Sequence, residues 1–115
     1  MIVAGFPLLR KGIAAALADE KWLIPIATTG SVAHARDVCL KEDELLVVVD
    51  FELPSGDAQG LVRDIARFTP ASRIMALSER EDSPAIQRAF QAGVHGYVSK
   101  QDQALRRRME KCDRR

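Results

Sequence analysis

Three polar side chains stand where apolar runs stop. Asp50 follows Leu45-Leu46-Val47-Val48-Val49, Ser78 follows Arg73-Ile74-Met75-Ala76-Leu77, and Lys100 follows Tyr97-Val98-Ser99. A carboxylate in such a place can accept a phosphoryl group, as aspartates do in covalent phosphoryl transfer. A hydroxyl and an ammonium nearby suit the three oxygens of that group, which need hydrogen bonds and a cation. This chemistry needs no cofactor beyond a divalent metal. Each residue also has a plainer reading: Asp50 caps a turn, Ser78 caps the next helix, and Lys100 is a solvated loop residue. Their placement at three strand ends together favours a shared site.

The elements that would position them alternate in kind. Apolar runs and segments of helical period follow one another, separated by turn residues, which is the pattern of a parallel sheet with crossover helices. Strands are expected at Ile2 to Ala4, Trp22 to Thr28, Leu45 to Val49, Arg73 to Leu77 and Tyr97-Val98. Pro25 cannot donate a ladder hydrogen bond, so it places the second strand at an edge. The third run is apolar throughout, as a strand covered on both faces should be. An order of 2-1-3-4-5 satisfies both constraints. It brings Asp50, Ser78 and Lys100 into one crevice at the carboxyl ends of the strands, where open parallel sheets gather their sites.

Helices are expected from Pro7, with Leu9, Ile13, Ala16 and Leu17 inward; after Gly30-Ser31 to Lys41, with Val32, Ala35 and Cys39; and around Leu61, Ile65 and Phe68. A fourth opens at Ser83-Pro84, turns Ile86, Ala89 and Phe90 inward, and closes at Gly93. A fifth starts near Asp102, with Leu105, Met109 and Cys112 at helical spacing. The fold class is therefore α/β: a flavodoxin-like, doubly wound, five-stranded parallel sheet with helices on both faces.

At 115 residues the chain fits one domain, taken as residues 1–115. Its 47% apolar and 29% charged residues are an ordinary globular balance. No run approaches a bilayer span and the amino terminus has no signal-peptide pattern, so a cytoplasmic location without membrane contact is expected. Cys39 and Cys112 read as small buried hydrophobes rather than a disulfide or ligands. His34 and His95 have no second ligand at metal spacing. Trp22 reads as packing. The net charge is +1, and the basic tail from Arg106 to Arg115 reads as a solvated helix end.

The chain resembles a receiver domain of response regulators, most of all those whose output is a helix-turn-helix DNA-binding domain. The resemblance is carried by Pro7-Leu8-Leu9-Arg10-Lys11-Gly12, by Asp50 with Leu53-Pro54, by Ser78, and by Ala92-Gly93-Val94-His95-Gly96-Tyr97-Val98-Ser99-Lys100. It spans Met1 to Lys100. It implies that Asp50 is the phosphoacceptor position, Ser78 the switch hydroxyl, Tyr97 the rotating switch aromatic and Lys100 the conserved basic residue. It also implies a homodimer, a histidine kinase or another regulatory protein as partner, and DNA contact only through an output domain absent from these residues.

The departures are specific. The family places two acidic residues after the first strand to hold magnesium; here Ala4, Gly5 and Phe6 occupy those positions. Magnesium prefers octahedral oxygen ligands and one or two carboxylates, so at most a weakly held ion is expected. Glu52 and Glu79 are candidate substitute acids, although Glu79 replaces a small residue and would repel a phosphodonor. The loop Ser55 to Gly60 is expected to be longer than usual. Gln101 stands where the family has proline, so no cis peptide is expected there.

These features favour an atypical receiver: a signalling and dimerisation module, not an enzyme, controlling transcription through an output domain with impaired or absent phosphorylation. Two alternatives stay open. One is a functional phosphoacceptor phosphorylated on Asp50 by a histidine kinase; the other is a small-molecule-sensing pseudo-receiver.

Overall fold

The computed structural model describes residues 1–18, 27–42, 44–54 and 57–100. Its elements run β1 (Ile2–Val3), α1 (Pro7–Leu17), β2 (Thr28–Thr29), α2 (Val32–Lys41), β3 (Leu46–Asp50), α3 (Ala58–Phe68), β4 (Arg73–Ser78), α4 (Ser83–Ala92) and β5 (Gly96–Ser99). The strands form one sheet in the order β2-β1-β3-β4-β5, all pairs parallel. The order and fold class expected from the sequence are those observed. Parts of three expectations fall outside the described residues: the beginning of the second strand with Trp22 and Pro25, the Ser55-Gly56 segment, and everything from Gln101 onward, including the fifth helix and Cys112.

Side chains alternate across a strand, and β3 divides the core accordingly. Val47 and Val49 join Val3, Ile74 and Ala76 in one buried cluster with residues of α2, α3 and α4. Val48 joins Ile2, Met75, Leu77 and Val98 in a second cluster, against Ile13, Leu9 and Leu17 of α1. A strand whose two faces both meet helices has no use for polar alternation, which is why its sequence is an unbroken apolar run.

The starts of α2, α3 and α4 are fixed by side-chain caps, whereas α1 opens on Pro7 without one. Ser31 accepts the His34 N–H at 3.2 Å, Asp57 the Gly60 N–H at 2.8 Å, and Asp82 the Ala85 N–H at 3.1 Å. Each satisfies a backbone donor that the first turn leaves free. Gly93 ends α4 at φ 125°, and a Cβ there would lie 2.8 Å from Ala66 Cβ, so α3 and α4 come as close as they do because that position is glycine.

Two residues expected inward, Ala16 and Phe90, face out, and so does Phe68, named with Leu61 and Ile65 in the third helix. Phe68 is 60% and Phe90 48% exposed, and Ala16 is exposed as well. In α4 the buried stripe is Ala89 and Ala92. Phe90 sits about 100° round the helix from Ala89 and leaves the sheet side. Phe68 is the last residue of α3, beyond the buried Leu61 and Ile65, and its ring carries the Arg67 guanidinium at 5.3 Å. Among the described residues no helix is long and apolar enough to cross a membrane.

Candidate functional site

The parallel register sets the crevice. Val3 pairs with Val49, so continuing that register brings Ala4 level with Asp50; Asp50 pairs with Leu77, and Ser78 with Ser99. The Lys100 N–H donates to the Ser78 carbonyl at 2.9 Å, which carries the alignment one residue past β5. Asp50, Ser78 and Lys100 therefore meet at the carboxyl ends of three adjacent strands, as expected.

Asp50 is 1% exposed. Its Oδ1 accepts the Glu52 N–H at 2.8 Å and lies 2.8 Å from Lys100 Nζ. Its Oδ2 is buried and accepts no hydrogen bond from the described residues. A carboxylate so far from water is tolerable only when paired, and Lys100 is its counter-ion.

Lys100 is shared. Its Nζ also lies 3.0 Å from Glu52 Oε1. The Glu52 carboxylate is held from three sides: Oε1 accepts the Glu79 N–H at 2.7 Å as well as meeting Lys100, and Oε2 accepts the Ser78 hydroxyl at 2.8 Å. Ser78, 2% exposed, accepts in turn from the Arg80 N–H at 3.0 Å, and the Tyr97 hydroxyl donates to the Arg80 carbonyl at 2.6 Å. One hydrogen-bonded path thus runs from Glu52 through Ser78 and Arg80 to Tyr97 on β5. The Glu79 side chain itself stays exposed.

The charges adjust to each other. Burial pushes the Glu52 carboxyl up, but the Glu79 N–H, the Ser78 hydroxyl and the Lys100 ammonium outweigh it and hold the group below the usual glutamate range. Burial pulls Lys100 down, and the two carboxylates more than reverse this, leaving it above the usual lysine range.

Ala4 is fully buried, Gly5 is half-buried and Phe6 is 58% exposed. The Pro54 ring lies against Gly5 so closely that a Cβ on Gly5 would overlap it. Beside them the Arg10 guanidinium donates to the Ala4 carbonyl at 2.7 Å, which places a positive charge at the end of β1.

Magnesium, which the family implies, asks for several oxygens including carboxylates. This crevice offers Asp50 Oδ2, while Glu52 is occupied by Ser78, Glu79 and Lys100, and a cation already stands beside Ala4. The donor set does not fit the ion. Among the described residues no group of three or more potential metal ligands occurs, in the crevice or outside it. His95 is structural: its Nδ1 accepts the Ile74 N–H at 3.0 Å, and its Nε2 lies 3.1 Å from Arg73. Cys39 is a buried free thiol.

Sequence reasoning missed the closure of the crevice by Pro54 and Arg10, because neither contact leaves a mark in residue spacing. It also missed Ser72, a buried hydroxyl that accepts the Leu45 N–H at 3.1 Å just before β3. An apolar cavity of about 220 Å³ between the last turns of α2 and α3, lined by Cys39, Leu40, Ile65 and Phe68, opens at the other end of the sheet and takes no part in this site.

A five-stranded parallel sheet of this order, with an aspartate, a hydroxyl and a lysine at the ends of β3, β4 and β5, is the architecture of a receiver. Residues 1–110 match the family model of the response regulator receiver domain, and the chain belongs to that family. It is 28% identical over 100 residues to the transcriptional activator protein ExaE of Pseudomonas putida, covering 87% of this chain and 47% of that protein. It is 29% identical over 99 residues to the DNA-binding transcriptional activator DevR/DosR of Mycobacterium tuberculosis, covering 86% and 46%. The chain spans about half the length of these curated relatives. Among solved structures, a two-component response regulator of the LuxR family from an Aurantimonas species superimposes with a TM-score of 0.87 at 25% identity, covering 96% of this chain and 81% of the other. A LuxR-family DNA-binding response regulator from Staphylococcus aureus gives 0.86 at 16% identity, covering 97% and 95%, a likeness of fold alone.

Proposed function

We propose that this receiver is an atypical one: a non-enzymatic signalling and dimerisation module that regulates transcription through a DNA-binding output domain, without efficient phosphorylation of Asp50. The relatives with transcriptional roles support the output, and the receiver family supports the signalling role. Asp50 holds the phosphoacceptor position, Ser78 and Tyr97 the switch positions, and Lys100 the basic position. The observation that carries the reading is the engagement of Lys100 by both Asp50 and Glu52, with Ala4, Gly5 and Phe6 where the metal-holding acids would stand. The ion that would neutralise charge on the incoming phosphoryl group has no adequate anchor. Incubation with acetyl phosphate and Mg²⁺, followed by intact mass, is expected to leave the mass unchanged. A gain of one phosphate that disappears in Asp50→Ala would overturn the proposal.

A second reading rests on Asp50 Oδ2, which accepts no hydrogen bond from the described residues and so keeps a lone pair for an incoming phosphorus. Under it a histidine kinase phosphorylates Asp50, and the same experiment decides between the two.

A further inference from the structure

Glu52 was expected either to replace a missing metal ligand or to be an ordinary exposed acid, and its carboxylate does something else. It accepts from a hydroxyl at the end of β4, from the backbone N–H of the next residue, and from an ammonium that follows β5. Three donors of different kinds, brought by two strands, converge on one anionic group. That set matches the needs of a tetrahedral oxyanion, whose oxygens take charge-assisted hydrogen bonds from N–H, O–H and ammonium donors. In the receiver reading Ser78 and Lys100 are the hydroxyl and cation that would meet the oxygens of a phosphoryl group on Asp50; we propose that the protein's own Glu52 carboxylate, seated on them and on the Glu79 N–H, is a built-in stand-in for that phosphate-class anion.

The proposal rests on the receiver reading of the Asp50 crevice and deepens it. Charge explains why the seat stays closed to free anions. With Glu52 in place the cluster holds two carboxylates against one lysine; without it Asp50 and Lys100 balance, and two neutral donors are released. Tethering adds to this. Glu52 lies two residues from Asp50, and a tethered group acts at a raised effective concentration that a free anion must outcompete. The burial pattern allows exchange: the Glu52 side chain is 34% exposed, whereas Ser78 is buried and the Lys100 side chain is 15% exposed. The occupant can leave while the seat remains. Occupancy is also relayed outward, because the Ser78 hydroxyl that donates to Glu52 accepts from Arg80, whose carbonyl holds the Tyr97 hydroxyl. Glu52 is thus connected through Ser78 and Arg80 to Tyr97 on β5.

The test is a titration of the whole chain with sodium phosphate at constant ionic strength, read by the backbone amide resonances of Glu79 and Arg80. The wild type is expected to show no saturable shift. Glu52→Ala is expected to show one, with phosphate affinity at least about tenfold above that of the wild type. Ser78→Ala in that background should abolish it. If Glu52→Ala does not fold, Glu52→Ser opens the same space and is read in the same way. A folded variant whose Glu79 amide ignores phosphate overturns the proposal, and so does a wild type that responds equally. Phosphorylation of the wild type by acetyl phosphate would instead overturn the proposed function and leave the phosphate titration to judge Glu52 independently.

Discussion

Lys100 Nζ stands 2.8 Å from Asp50 Oδ1, so the residue after β5 neutralises the carboxylate buried at the end of β3. Breaking a buried pair by removing one partner typically costs about 3–5 kcal/mol, because the other charge is left uncompensated. Lys100→Met is expected to destabilise the domain by about that amount in urea unfolding. The double variant Asp50→Asn/Lys100→Met should cost clearly less than the sum of the single changes, since it removes both charges. Strict additivity would show that the pair is not coupled.

The acid response of the fold should depend on Glu52. Its carboxyl binds its proton less readily in the folded state than in the unfolded one, so the unfolded chain takes up more protons as pH falls. The stabilisation is fully present above the ordinary glutamate value of 4.5 and is lost as pH falls through the lower folded value. Melting curves of the wild type and Glu52→Gln should therefore differ at neutral pH and converge in acid. Lys100 acts in the opposite window: its contribution is complete below 10.5 and is lost as pH rises through its raised folded value. A gap between wild type and Glu52→Gln that persists unchanged to low pH would contradict this account.

Returning an acid to the end of β1 should fail for a steric reason. Any side chain at Gly5 meets the Pro54 ring. Gly5→Asp is expected to destabilise the domain by about 1–3 kcal/mol, the usual range for forcing extra atoms into a packed region. Pro54→Ala in the same chain should recover part of that loss. Thermal unfolding of the single and double variants measures both, and an undiminished Gly5→Asp protein would show that the Pro54 loop yields freely.

Much of the fold was legible because one residue pattern admits few solutions. The unbroken Leu45 to Val49 run demands a strand covered on both faces, and Val47 and Val48 indeed point into different clusters. Once that strand is central, parallel register alone aligns Asp50, Ser78 and Lys100. The helix faces were harder. Phe68 and Phe90 have helical spacing and large apolar side chains, yet the small Ala89 and Ala92 take the sheet-facing stripe of α4 and Phe68 lies at the end of α3. Composition ranks a phenylalanine above an alanine for burial, whereas close approach of a helix favours the alanine.

Within the crevice, residue types were legible and their partners were not. Glu52 stood out as an acid near Asp50, but which way it turns depends on one backbone turn after β3, where its own N–H caps Asp50 Oδ1 and sends its carboxylate toward Ser78 and Glu79. The Pro54 ring on Gly5 arises from two loops far apart in sequence.

That apposition of Gly5 and Pro54 also orders the routes by which this sequence can change. A lineage regaining a carboxylate at position 5 must first loosen position 54, while one that keeps Pro54 meets a lower-stability intermediate at its first step. The present pair behaves as a ratchet at position 5: an acid there is reached at least cost when position 54 has already changed.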